Sequence, residues 1–182
     1  MLKKIIFTTL LSASLYAQAD SNISYNYFEV GYDYQDLNAG SADGLYLNAS
    51  FNLKESFYLG GYYDRNKLNS INFDQYGLFL GFHNSISDRT DFYTELNAGQ
   101  LDIEVTDSMT YGIDLGTRTA FTERFELITK VGYTHIDDAS DGYFKVGVKG
   151  LFKFNKSNAI TVGVDNFDGD DFGASVGYRY TF

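Results

Sequence analysis

The stretch Phe172-Gly173-Ala174-Ser175-Val176-Gly177-Tyr178-Arg179-Tyr180-Thr181-Phe182 separates into two faces when it is extended. Successive side chains of a β-strand point to opposite sides of the sheet. One side is apolar or aromatic and carries Phe172, Ala174, Val176, Tyr178, Tyr180 and Phe182. The other side is small or polar and carries Gly173, Ser175, Gly177, Arg179 and Thr181. The stretch is therefore predicted to be a strand with one apolar face.

The same alternation runs through the chain from Ser24 onward, and clusters of Gly, Asn, Asp, Ser and Lys interrupt it at regular intervals. It predicts ten strands, at residues 24–37, 43–53, 57–66, 72–86, 91–101, 108–121, 125–136, 142–154, 158–168 and 172–182. An even number places both chain ends on one side, as single-chain membrane barrels require. We predict an all-β, antiparallel, up-and-down β-barrel, with eight strands as the fallback if the third or ninth strand is misphased.

The polar face decides between a membrane barrel and a soluble barrel. It combines many glycines with a set of charged residues, namely Glu29, Asp33, Asp64, Glu95, Asp114, Arg118, Lys130, Lys145, Lys149, Asp165 and Arg179. The exterior of a soluble barrel would instead carry Lys and Glu densely. We therefore predict that the apolar face meets lipid and that these charges face the lumen of a transmembrane barrel.

The charges predicted for the lumen admit two uses. They can pair across the barrel and fill it, or they can line a narrow conduit for small solutes. Burial makes an unpaired charge costly, and a barrel of about ten strands is only slightly wider than one that side chains fill. Pairing is the default expectation. In particular, Arg179 is expected to pair with Glu29 or Asp33, because the last strand must lie beside the first to close the barrel.

The first 19 residues predict a secretory signal peptide, followed by one barrel domain at residues 20–182. Lys3 and Lys4 precede an apolar run, and the small-residue site Ala17-Gln18-Ala19 comes before the chain turns polar. The alternative is an uncleaved anchor, but the run is about half the ~20 residues that a spanning helix needs. After it, no apolar stretch is long enough for such a helix.

Composition excludes several classes of function. The net charge is −10, and no Lys or Arg cluster suited to nucleic acid is present. Cysteine is absent, so neither a disulfide nor a thiolate metal site can form.

The alternating strands with an aromatic last residue resemble bacterial outer-membrane β-barrels. That resemblance implies that Tyr178, Tyr180 and Phe182 form the signal read by the barrel assembly machinery. It also implies a periplasmic location for the short turns. We further expect a monomer in contact with outer-membrane lipid and lipopolysaccharide. Aromatic residues beside those turns and the C-terminus predict an interfacial girdle, made of Phe51, Phe57, Phe92, Phe121, Phe125, Phe152, Phe154, Tyr180 and Phe182.

A narrower likeness lies in residues 24–32, with the segments 42–44, 73–75 and 86–91. These resemble the small proteobacterial outer-membrane proteins named "sulfation-dependent quorum factor". The label implies a tyrosine-sulfated secreted signal, with Tyr25 at the corresponding position. A tyrosine that begins a barrel strand is adequately explained by the membrane interface, so that role is not carried over.

Candidates for chemistry are few. His83 is expected in the lumen, where Glu126 or another carboxylate could approach it, and His135 with Ser108 lies near the opposite rim. Residues 165–171 are rich in Asp but lack the EF-hand order and its distal Glu, so an acidic turn in solvent is preferred over a calcium site. The alternative is a weak contact with lipopolysaccharide phosphates through a divalent cation. We assign no catalytic residue, cofactor or metal ligand.

The expected function is a non-enzymatic structural or surface-interaction role in the outer membrane, with the lumen filled by paired charges. The alternative is a narrow pore for small solutes or ions.

Overall fold

Ten β-strands form within the residues that the structure, a computed structural model, describes, which are 23–38, 40–68, 71–103, 106–137 and 141–182. They are β1 Tyr27–Leu37, β2 Gly40–Lys54, β3 Phe57–Leu68, β4 Ile71–Ser87, β5 Thr90–Ile103, β6 Thr106–Ala120, β7 Phe125–Ile136, β8 Asp141–Lys153, β9 Asn158–Phe167 and β10 Asp171–Thr181. The predicted signal peptide lies outside the described residues. Within those residues, no helix has the length and apolar character needed to cross a membrane.

Each strand pairs antiparallel with its neighbours along the chain, and β1 also pairs with β10, so the sheet closes into a barrel. The prediction of ten antiparallel strands is confirmed, and the eight-stranded fallback is not needed. Strand ends differ from the predicted ones by at most three residues. Each described strand thus pairs with two neighbours and none is an edge strand, which is the condition for strands in hydrocarbon.

The outer surface of the barrel is apolar. Leu78 and Phe144 have 64% and 63% of their surface exposed, and exposed Leu, Val, Ile, Phe and Tyr occur on every strand. On β3, Leu59 is exposed while Tyr58 is buried, and on β9 Ile160 is exposed while Thr161 is buried. The faces predicted for these two strands are thus confirmed.

The first strand begins later than predicted. It was expected from Ser24, but pairing with β2 and β10 starts at Tyr27. Tyr25, expected at the membrane interface, is only 2% exposed and packs inside the barrel. The segment Ile23–Asn26 therefore enters the lumen at the end where β1 begins and β10 ends; this is called the closed end below, and the opposite end is called the open end.

The predicted aromatic girdle surrounds the closed end. Phe51 and Phe182 have ring centroids 5.5 Å apart, and Phe125 lies 4.9 Å from Phe152 and 6.0 Å from Phe121. These rings are on neighbouring strands or turns, where outward side chains lie close enough to touch. Such a belt is typical of a membrane–water interface.

Candidate functional site: the barrel lumen

A cavity of about 870 Å³ occupies the lumen. Its lining runs from Tyr25, Tyr27, Arg118 and Arg179 near the closed end to Leu68 and other residues at the open end. This volume lies in the range of small-molecule sites. The lumen is therefore packed at one end only, which corrects the expectation that paired charges fill it.

Tyr25 forms the floor of the cavity. Its ring stacks on His83, with centroids 4.1 Å apart, and lies 4.5 Å from the ring of Tyr58. The guanidinium of Arg118 lies 4.4 Å from the Tyr25 ring centre, and its Nη1 donates to the Ser24 carbonyl at 3.0 Å. Ring stacking, a cation–π contact and a hydrogen bond thus hold the N-terminal segment in the barrel.

Glu29 is the centre of the first ion-pair cluster. It is fully buried and accepts hydrogen bonds from Arg179 Nε at 2.6 Å and from Lys149 Nζ at 2.9 Å. The hydroxyls of Tyr46 and Thr161 also donate to it, at 2.8 and 3.2 Å. The expected contact between Arg179 and an acid of β1 is thus present with Glu29, whereas Asp33 makes none.

Glu126 is the centre of a second cluster at the closed end. It pairs with Arg118 Nη2 at 2.5 Å and with Lys153 Nζ at 2.9 Å. Farther along the lumen, Lys145 pairs with Asp114 at 3.0 Å. Neither Glu126 nor Lys153 was in the predicted network, although strand alternation places both on inward positions.

Several predicted lumen charges are not paired. Among the described residues, no ion pair within 4.0 Å involves Asp33, Asp64, Glu95, Lys130 or Asp165. Glu95 accepts a hydrogen bond from the Tyr58 hydroxyl at 2.9 Å, and Asp33 accepts one from Gln35 at 3.0 Å. The unpaired set is therefore mostly acidic, and its members line the cavity.

Glycines make room for the tyrosines inside the barrel. A Cβ added at Gly31 or at Gly177 would overlap the Tyr46 side chain, and one at Gly81 would overlap the Tyr58 ring. The many glycines on the polar face thus let large aromatic rings lie flat against the wall of the barrel.

The histidines do not form a catalytic arrangement. His83 Nδ1 lies 3.7 Å from Asp91 Oδ2, beyond hydrogen-bond reach, and Asp91 instead accepts from Ser85 at 2.7 Å. Glu126, one of the carboxylates that could have approached His83, instead binds Arg118 and Lys153.

The second pair of candidates for chemistry is on opposite faces of the barrel. His135 pairs with Tyr111, which is 45% exposed, so both side chains point outward. Ser108 has the same parity as the buried Thr110, so it faces the lumen. The barrel wall therefore separates Ser108 from His135.

The acidic turn after β9 uses its carboxylates within the protein. Asp168 accepts from the Phe144 backbone at 2.7 Å, and Asp171 accepts from the Asn38 backbone at 2.7 Å. Among the described residues, no group of three or more His, Cys, Asp and Glu could hold a metal ion.

Comparisons with known proteins show the fold. The structure named "KdgM porin in complex with disordered oligogalacturonate" matches with a TM-score of 0.51 and 12% identity, over 86% of this chain and 99% of that chain. The chain has the fold of the outer-membrane porins. A NanC porin structure matches with a TM-score of 0.52 and 8% identity, over 85% and 100% of the two chains. The translocator domain of the autotransporter NalP from Neisseria meningitidis matches with a TM-score of 0.50 and 10% identity, over 99% and 96%.

Sequence comparisons place the porin-like barrel in no family. No family model matches the sequence, and no curated protein matches it. The likeness to the "sulfation-dependent quorum factor" proteins therefore has no support beyond the class of small outer-membrane barrels.

Proposed function

We propose that this chain is a narrow outer-membrane pore for small solutes, with a preference for cations. The observation that carries the proposal is the cavity of about 870 Å³ in the lumen, whose lining includes acids without ion pairs. The apolar exterior and the girdle at the closed end support placement in a membrane. The resemblance to outer-membrane barrels supports the outer membrane as its location.

The preference for cations follows from the charges of the lumen. Arg118, Arg179, Lys145, Lys149 and Lys153 are each in an ion pair with a carboxylate. Among the described residues, four of the unpaired lumen charges noted above are acids and one, Lys130, is a base. Unpaired carboxylates in the cavity attract cations and repel anions, as in channels that select by rings of charged side chains. The neighbouring structure named with an oligogalacturonate contains an acidic ligand; the unpaired acids here favour the opposite charge.

The Tyr25 floor sets the first prediction. Tyr25→Ala removes the ring that stacks on His83 and Tyr58, so we expect single-channel conductance to rise severalfold over a small or absent wild-type value. The measurement uses refolded protein in planar bilayers. Tyr111→Ala is the control, because Tyr111 is outward and 45% exposed, and it should leave conductance unchanged. Absence of conductance in both the wild type and Tyr25→Ala would reject the pore.

The structural or surface-interaction role remains the second candidate. The packed closed end favours it, because paired charges and aromatic rings fill that part of the lumen. A folded barrel that stays closed to ions in every lumen variant would support this second role.

A further inference from the structure

The open end of the lumen has an apolar lining that the pore proposal does not explain. Six inward apolar residues are the terminal residues of their strands, and two more lie two positions inside a strand end. These eight, which we call the apolar collar, are Leu37, Leu68, Ile71, Phe73, Leu101, Ile103, Ile136 and Phe167. Inward positions of a water-filled mouth are ordinarily polar. The collar is therefore a feature that needs its own explanation.

Unpaired acids lie directly beneath the collar. Asp165 is two residues before Phe167 on β9, a rise of about 7 Å along the strand. Asp64 is four residues before Leu68 on β3, and Asp33 lines the same cavity. One carboxylate oxygen of Asp33 is buried and has no hydrogen-bond partner. The cavity thus changes from largely apolar at its mouth, where Asp168 and Asp171 also line it but bond backbone amides, to anionic below.

Aromatic faces accompany these acids. Tyr46, Tyr62 and Tyr143 line the cavity, and the ring of Tyr143 meets the collar residue Phe167 edge-on at 5.9 Å. Tyrosine rings attract organic cations through their negative faces. The acids and the aromatic faces attract the charge of an organic cation, and the apolar collar accommodates its apolar group.

We infer that the cavity binds small organic cations that carry an apolar group, with the cationic end at Asp33 and Asp64 and the apolar group within the collar. This inference rests on the proposed function, because it names the class of solute that the same cavity would admit. The volume of about 870 Å³ is ample for one such molecule.

Calorimetry with three probes tests the inference. The refolded chain in phosphatidylcholine nanodiscs is titrated with benzyltrimethylammonium, tetramethylammonium and benzyl alcohol, and empty nanodiscs correct for partition into lipid. We expect benzyltrimethylammonium to bind about tenfold more tightly than either other probe, because only it uses both the acids and the collar. Equal affinities for the three probes, or binding to none, would overturn the inference.

Two variants separate the contributions of the acids and the collar. Asp64→Asn should weaken both cations about fivefold and leave benzyl alcohol unchanged, whereas Leu101→Asn should weaken only the two benzyl probes. Asp43→Asn is the matched control, because Asp43 bonds the outward Tyr32 hydroxyl rather than facing the cavity. Loss of benzyltrimethylammonium affinity in Asp43→Asn equal to that in Asp64→Asn would place binding outside the lumen.

The same preparation distinguishes failure of the inference from failure of the pore proposal. Binding without conductance in any variant would retain the ligand class and reject transport. Conductance without a preference for benzyltrimethylammonium would retain the pore and reject the ligand class.

Discussion

Glu29 stabilises the folded barrel through two ion pairs inside the lumen. Its carboxylate forms ion pairs with both Arg179 and Lys149, and the side chain is fully buried. Removal of one partner from a buried ion pair leaves an uncompensated charge, which typically costs 3–5 kcal/mol. Here the loss of one acid would leave two cations without their carboxylate.

Glu29→Gln is therefore expected to destabilise the folded barrel by about 3 kcal/mol. The measurement is the free energy of unfolding of the refolded protein in vesicles. Urea unfolds the protein, and heat-modifiable gel migration reports the folded fraction. Asp64→Asn is the matched control, because Asp64 has no ion pair among the described residues, and its unfolding midpoint should stay the same or rise. Equal losses in the two variants would show that the cluster adds no specific stability.

The contact of Glu29 with Arg179 was predictable from sequence, whereas the role of Tyr25 was not. Alternation places Glu29 and Arg179 inward, and closure of the barrel requires β1 to pair with β10. The same alternation also predicts that Tyr25 faces inward. It does not show that strand pairing begins only at Tyr27, so that Tyr25 lies outside the sheet. The stacking of Tyr25 on His83 depends on an irregular segment, for which period and parity carry no information.

At the scale of the elements, β10 joins the closing contact to the aromatic girdle. Its inward face carries Arg179, and Tyr180 points outward at the same end. Phe182 follows the strand; its ring meets Phe51, and its backbone amide donates to the Asn26 carbonyl at 3.2 Å. The C-terminus is thus part of the girdle in the folded barrel, in addition to its expected use as an assembly signal.

Phe182→Ala tests these two uses separately. Because Phe182 is 54% exposed, its loss should lower the unfolding free energy of the refolded barrel by only about 1 kcal/mol or less. If the residue is read during assembly, folded protein in the outer membrane of cells should fall severalfold. Phe154→Ala is the control and should assemble normally, because Phe154 is also an exposed aromatic residue beside a turn. Equal losses in cells would argue against a C-terminal signal.

The strands were predictable because two independent patterns agree along most of the chain. Period-two alternation fixes the faces, and turn residues such as those around Lys54 and Lys156 mark the reversals. The collar was missed because Ile71 and Ile103 lie outside the predicted strands 72–86 and 91–101, where an apolar residue is interpreted as part of a connection. Sequence alone does not tell how far a strand continues past the membrane.

At the scale of the whole molecule, the net charge of −10 is distributed unevenly. Five lumen bases, Arg118, Arg179, Lys145, Lys149 and Lys153, are paired with carboxylates. Among the described residues, the unpaired acids in the cavity outnumber its unpaired base, Lys130. A conducting form of the barrel should therefore select cations over anions along the whole lumen, and not at one residue only.

The reversal potential of the Tyr25→Ala channel in a potassium chloride gradient measures this selectivity. We expect it to favour potassium, and we expect Asp33→Asn with Asp64→Asn to reduce that preference about fivefold or more, because both carboxylates line the cavity. Asp43→Asn, outside the lumen, should leave it unchanged. A preference for chloride in the parent channel would contradict the assignment.

The separation of Glu29 and Arg179 in sequence, 150 residues, has a consequence for the order of events during folding. Contacts between residues so far apart form late, because the intervening chain must first be arranged. Glu29 on the first strand thus binds Arg179 only when the last strand pairs with the first. A contact that forms after the rate-limiting step stabilises the native state without speeding its formation. The ion pair would then slow the unfolding of the finished barrel without changing the rate at which the barrel folds.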